Sequence, residues 1–358
     1  MSEFAFELAL CAHLERSSNP PVVGANPLIA RQLGGSVADP GGRILDLVCI
    51  EPGLEFDERT AITDADIPDA AIESAVGPGR ARYWKDAFDC HPSHARRAVE
   101  RACEIGFFES ERRNGREYVR QVARYPDWYD RIVAIENKPD LGRPGDLEMQ
   151  LRTDVSLALV DEVILATESY VTRAHLHRLP DPVGVWRVHR DRESTDSSAL
   201  ERGAKVRAGA EAEVDVEAGV EVEIEVVREP TPLPTAEPGI EPLAFEPGRT
   251  EIEPVSAAAK ARARRRLAER AYGKGWRTYD FPACASCVAS DEASVTLPHC
   301  TWAGDLVDAN ADCGPDCPGY KSATAPEVDL ESERDRQTPW RASPRGRRRR
   351  QSGLDQFR

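Results

Sequence analysis

Glu136 and Lys138 stand two residues apart at the end of an apolar run, Arg131-Ile-Val-Ala-Ile-Glu-Asn-Lys138, that reads as a buried strand. Alternation along a strand turns both side chains to one face, about 7 Å apart. A carboxylate and an ammonium at the end of a core strand are costly to bury without a task. Lys is also scarce here, six residues against 41 Arg. The pair suits metal-dependent phosphodiester cleavage: the carboxylate holds a divalent cation, and the lysine orients the attacking water or stabilises developing negative charge. A surface ion pair at a strand end has the same local pattern, so the surroundings decide. The cation needs a second carboxylate. Pro126-Asp127 precedes the pair, but a hairpin of 116–126 against 131–138 leaves Asp127 about 17 Å from Glu136. Asp46, in the separate apolar run Arg43-Ile-Leu-Asp-Leu-Val-Cys-Ile50, is the better candidate. Gln150, on a helix that Asp146 can cap, and Glu7, one turn from Leu10, Cys11 and Leu14, complete the polar set.

A second chemistry lies downstream. Cys284-Ala-Ser-Cys287 and Cys313-Gly-Pro-Asp-Cys317, with His299 and Cys300 between them, place five Cys in 34 residues. Tetrahedral Zn²⁺ takes four such ligands as two knuckles, although the 25-residue gap is longer than in most ribbons. Cys49, Cys90 and Cys103 read as core residues. The last residues, Gln351-Ser-Gly-Leu354-Asp-Gln-Phe357-Arg358, follow the basic run Arg345-Gly-Arg-Arg-Arg-Arg350. They resemble the motif by which DNA-repair and replication proteins bind the sliding clamp (PCNA), with Gln351, Leu354 and Phe357 as anchors. Arg358 stands where that motif usually has a second aromatic residue.

The elements that would position these residues follow from pattern. Residues 3–16 read as an amphipathic helix, 43–50 as a central strand, and 92–105 as a helix stopped by Gly106. Asn114-Gly115 signals a two-residue hairpin among Arg112, Arg113, Arg116 and Arg120. Helix plus Arg-rich hairpin inside 57–125 resembles the recognition helix and wing of a winged helix. Strand 131–138, helix 146–160 and strand 162–167 form a βαβ unit, whose strands should be parallel. Residues 183–188 add a strand. From 191 to 255 the chain is acidic and Pro-rich and reads as a solvated linker. Residues 256–320 read as a basic helix plus the Cys-rich module, and 321–358 as a disordered tail. The net charge of −15 suits an acidic surface kept soluble in high salt, as in a GC-rich halophilic archaeon. No apolar stretch is long enough for a membrane span, and the N-terminus lacks a basic n-region. The expectation is a cytoplasmic protein with reduced Cys.

Helix with Glu7, strand with Asp46, strand with Glu136-x-Lys138, then helix with Gln150 and a strand: this order resembles the PD-(D/E)XK nuclease superfamily. The chain also resembles a family of haloarchaeal proteins. The nuclease resemblance covers about residues 3–170 and implies an α/β restriction-endonuclease-like mixed sheet flanked by helices, within a nuclease-like core over 1–190. It implies that Asp46 and Glu136 hold Mg²⁺ (or Mn²⁺), that Lys138 positions water, and that Gln150 and Glu7 assist. It also opens an iron–sulfur alternative to Zn²⁺, with Cys11 as an upstream ligand. Two features depart from the superfamily: no Pro precedes Asp46, and 89 residues separate it from Glu136. The expected activity is DNA cleavage in repair or replication, recruited by the clamp. The competing reading is a DNA-binding adaptor with winged-helix and zinc modules and no catalysis.

Overall fold

The computed structural model describes residues 2–17, 20, 21, 23, 24, 26–39, 41–62, 66–191, 221–292 and 295–337. The chain opens with α1 (Glu3–Arg16), whose N-terminus is capped by Ser2 accepting from the Ala5 N–H. Strands β1 (Leu28–Gly34) and β2 (Ile44–Pro52) follow. An inserted module then carries α2 (Phe56–Thr60), α3 (Asp69–Glu73), β3 (Arg82–Tyr83), α4 (Pro92–Glu104), β4 (Phe108–Arg113) and β5 (Arg116–Gln121). The chain returns through β6 (Tyr129–Asn137), α5 (Leu147–Leu157), β7 (Glu162–Thr167), α6 (Arg173–Leu176) and β8 (Gly184–Asp191). Last come β9 (Glu221–Arg228), β10 (Gly239–Glu246), β11 (Arg249–Val255), α7 (Ala257–Lys274), β12 (Cys287–Glu292), β13 (Val295–Cys300), β14 (Asp305–Leu306) and α8 (Leu330–Gln337).

Six strands form one mixed sheet in the order β1-β2-β6-β7-β8-β9. The first three are antiparallel, β6, β7 and β8 run parallel, and β9 returns antiparallel to β8. The β6–α5–β7 crossover is the expected βαβ unit. Alternation sorts the two faces. Val48, Ile50, Ile132, Ala134, Val163 and Leu165 pack under α5 and α7. Leu47, Cys49, Val133, Ile135, Ile164 and Trp186 pack under α1, through Phe6, Leu10, Cys11 and Leu14. The sheet is thus flanked by helices on both faces. No helix among the described residues is long and apolar enough to cross a membrane.

The insert has its own core, including Trp84, Val99, Ala102, Phe108 and Val119, and its own sheet in the order β3-β5-β4. Asn114 and Gly115 both take positive φ at the β4–β5 turn, as a two-residue hairpin of type I′ requires. Its two ends meet where Gly53 N donates to Trp128 O at 2.7 Å. A buried network joins it to the main body: Glu269 of α7 accepts from Arg59 (2.8 Å), Tyr125 Oη (2.8 Å) and Trp128 Nε1 (2.7 Å).

Several boundaries differ from the sequence reading. The 191–255 stretch is not a linker where it is described. Val222, Ile224 and Val226 alternate with Glu residues, and their apolar side packs on the α1 face, so β9 closes the sheet. The β10–β11 hairpin follows it. Residues 192–220 lie outside the described residues. The basic helix is no separate module either. Leu267, Ala268, Ala271 and Tyr272 enter the core, and Arg264 donates to Leu159 O (2.8 Å) and Asp161 (2.7 Å). Within the stretch read as a disordered tail, α8 is folded, with Glu333 accepting from Arg277 at 3.1 Å. Nor does 116–126 pair with 131–138: β5 pairs with β3 and β4, while β6 lies between β2 and β7. The clamp-like Gln351, Leu354 and Phe357 lie outside the described residues.

Candidate active site

The insert leaves the sheet from the end of β2 and the start of β6, so it never comes between the candidate carboxylates. The β2–β6 register pairs Leu47 with Ile135 and Val48 with Ala134. Continued by one residue, it sets Asp46 opposite Glu136 across 89 intervening residues. Side chains directly opposite on antiparallel strands share a face, with Cβ atoms about 4.5–5.5 Å apart. Asn137 N donates to Asp46 Oδ2 at 2.9 Å, which fixes the junction. The β1–β2 register pairs Arg31 with Leu47 and Leu33 with Leu45, so Gln32 stands level with Asp46.

Gln150 and Asp46 are brought together as well. Both line a cavity of about 430 Å³ at the N-terminal end of α5, along with Arg43, Asp146 and Thr153. Glu7 approaches from the other side of the sheet. It is ion-paired with Arg31 and accepts from Gln32 Nε2 at 3.0 Å, so Gln32 links it to the Asp46 row. Lys138 is the member the structure holds apart. Strand β6 ends at Asn137, Lys138 N donates to Ala166 O (2.9 Å), and its Nζ donates to Glu3 of α1. Glu136 is instead bound by Arg43.

Arg43 and Asp154 are the residues the sequence reading missed. Arg43 forms a fork on Asp154 through Nε (2.9 Å) and Nη2 (2.7 Å), and Nη2 also reaches Glu136 Oε2 at 2.6 Å. Asp154 had a legible signal: it lies four residues after Gln150, on the same helix face. Arg43 had none, since it precedes β2 beside two glycines.

Charge is out of balance here. Asp46, Glu136 and Asp154 are three buried or half-buried carboxyl groups against the one guanidinium of Arg43. Burial, and then the charge of Asp46, push Glu136 up to about 7 against the pull of Arg43. Burial also raises Asp46, opposed by the Asn137 N–H and by Arg43. Asp154 and Glu7 are raised by burial too, each against its own arginine. Such a set attracts further positive charge. Among the described residues no three His, Cys, Asp or Glu form a metal-holding group. Mg²⁺, however, keeps several waters and binds through one or two carboxylates plus substrate phosphate. Asp46 and Glu136 fit that requirement.

The Cys-rich segment packs on the α1 face through Val295, Leu297 and Leu306. Cys287 and Cys300 are opposite one another in the β12–β13 ladder. Backbone N–H groups point at two of the sulfurs: Lys321 N to Cys284 Sγ and Ala303 N to Cys300 Sγ, both at 3.4 Å. The Lys321 N–H, and then that of Ser286, hold the Cys284 thiol below its ordinary value. Burial, and then the charge of Cys313, raise Cys287 to about 11; burial and Cys300 do the same for Cys313, to about 11. The thiols therefore lie within electrostatic reach of one another. Cys11 is buried in α1, in the same core cluster as Cys49. Cys49 is core, as expected, and Cys90 and Cys103 are partly buried against the insert's core.

Fold and site together define a mixed α/β protein with a buried carboxylate cluster at the end of its central sheet. The chain belongs to DUF5787, a family of unknown function, whose model it matches over residues 28–322. Neither the comparison with curated proteins nor that with solved structures yields a match.

Proposed function

We propose that this protein is a divalent-cation-dependent DNA nuclease of the PD-(D/E)XK type, acting in repair or replication. The observation that carries the reading is the β2–β6 register, which continued by one residue past Leu47 and Ile135 brings Asp46 level with Glu136, in an α-β-β-β-α-β order. In this reading Asp46 and Glu136 hold Mg²⁺ or Mn²⁺, and Gln150 hydrogen-bonds into the cavity that Asp46 lines. The bound cation supplies polarisation of the phosphate and of its attacking water. Lys138 balances charge developing on the phosphoryl oxygens once substrate draws its amine from Glu3. Glu7 fixes Gln32, and through it the Asp46 row. The insert supports DNA as the partner, because α4 followed by the β4–β5 hairpin, in a sheet of order β3-β5-β4, resembles a winged helix.

The test is cleavage of single-stranded, duplex and branched DNA with Mg²⁺ or Mn²⁺ at molar KCl. Activity should vanish in Glu136→Ala and Lys138→Ala. Cleavage surviving both substitutions overturns the assignment. A second reading has one observation behind it: Arg43 already gives Glu136 a positive partner at 2.6 Å. A domain kept neutral this way would bind DNA as an adaptor without cutting it. Wild-type protein that binds DNA and cleaves none of these substrates selects that reading.

Two accessory features belong to the same proposal. Four of Cys284, Cys287, Cys300, Cys313 and Cys317 would hold a structural Zn²⁺ once their side chains draw together, a reading supported by the backbone donors aimed at Cys284 and Cys300. Metal analysis with an absorption spectrum separates this from an iron–sulfur cluster, which is coloured. Gln351, Leu354 and Phe357 bind the sliding clamp, and clamp binding retained after deletion of 351–358 removes them from the account.

A further inference from the structure

Arg262, Arg265 and Arg266 of α7 stand at i, i+3 and i+4, so one helix face carries all three. That face borders the insert, with Arg262 and Arg265 half-buried and Arg82 of the insert exposed. Arg265 Nη2 donates to Val76 O at 3.2 Å, and Arg266 and Arg270 approach Asp89 at 3.6 and 3.1 Å. Arg82, which opens β3, adds its charge to those of Arg266 and Arg265 at Arg262. Asp89 and Glu73 serve Arg266 and Arg270. Arg262, Arg265 and Arg82 are left with no carboxylate partner among the described residues.

In a chain of net charge −15 such a line of guanidiniums is out of character. Like charges crowded on one face disfavour the fold unless an anion offsets them. Guanidiniums spread over more than one turn of α7 and the neighbouring strand suit a polymeric anion better than a single phosphate. We propose that this face of α7, with Arg82 beside it, docks the phosphate backbone of DNA. The inference rests on the reading of DNA as substrate. Lys274, in the last turn of α7, donates to Gln32 O at 2.7 Å, and Gln32 is level with Asp46. Arg265 and Arg262 lie nine and twelve residues back along the helix, about 14 and 18 Å.

The test measures binding of labelled DNA by fluorescence anisotropy across a KCl series. It uses the full chain carrying Asp46→Asn, so that the probe survives. Replacing Arg262, Arg265 and Arg82 together by Ser should weaken binding of every sequence alike, by roughly tenfold, and flatten the log–log salt slope by about 0.9 per arginine. Replacing the same three by Lys should keep most of the slope, which a purely structural role would not. Unchanged binding in the Ser variant overturns the proposal, as does equal loss in the Ser and Lys variants. Failure of the parent protein to bind DNA while it binds anionic vesicles also overturns it, in favour of a membrane surface. The two readings can fail separately. Cleavage by wild type with unchanged binding in the Ser variant removes the surface and leaves the nuclease. Arginine-dependent binding without cleavage by wild type removes the nuclease and leaves the surface.

Discussion

Glu136→Gln should make the protein more stable in alkaline solution, an unusual outcome for loss of a buried charge. In the folded chain Glu136 is raised from 4.5 to about 7, first by burial and then by Asp46. A raised carboxyl binds its proton more tightly in the folded state than in the unfolded chain. The stability it contributes is therefore complete below about pH 4.5 and lost as pH rises through about 7. A shift of that size corresponds to about 3 kcal/mol. Gln keeps an acceptor for Arg43 and never ionises, so at about pH 9 the variant should exceed wild type by about 1–3 kcal/mol. The gap should close toward about pH 4.5. Urea melts at the two pH values measure it. Mg²⁺ adds an independent arm: at about 100 times its Kd it should return about 2.7 kcal/mol to wild type at alkaline pH and nothing to Glu136→Gln. A variant less stable than wild type at both pH values, or Mg²⁺ protecting both proteins equally, would refute the reasoning.

Arg43→Ala removes the one guanidinium bonded to Glu136 and Asp154 among the described residues and should cost about 3–5 kcal/mol in denaturant melts, because both carboxyls stay buried. Glu269→Ala should cost a similar ~3–5 kcal/mol, since Arg59 has no exposure to water and loses its fork; differential scanning calorimetry reads it. Ile224→Asp places a charge on the packed side of β9 and should lower the melting midpoint measurably, whereas Glu223→Lys on the other side should change it little.

Much of the site was legible because strands obey a period of two. The apolar runs around Asp46 and Glu136 identified two core strands, and their register, continued by one residue, brings the acids level. The helix bearing Glu7, the helix bearing Gln150 and the strand at 162–167 all stand where pattern put them. Register itself was not legible. It depends on a closed insert whose ends meet at Gly53 and Trp128, a tertiary fact with no local signature. The strand over 221–228 was hidden by composition, because Glu on one face of an edge strand looks like a solvated acidic run when the other face is ignored. Basic composition misled in the same way for α7, where Arg264 and Lys260 are buried by satisfying carbonyls rather than exposed.

Arg43 alters how the site must operate, whichever reading prevails. Its fork on Asp154 uses Nε and Nη2, while Glu136 receives only the shared Nη2. The Glu136 contact is therefore the weaker of the two, and the one that can be released without freeing the arginine. A cation arriving between Asp46 and Glu136 would take Glu136 and leave Arg43 on Asp154, with α5 undisturbed. The same arrangement explains why the pair tolerates burial without metal: the arginine lowers the charge that Asp46 and Glu136 would otherwise face together. Asp154 then acts by positioning, as the anchor that keeps Arg43 in place and leaves Glu136 free to exchange partners.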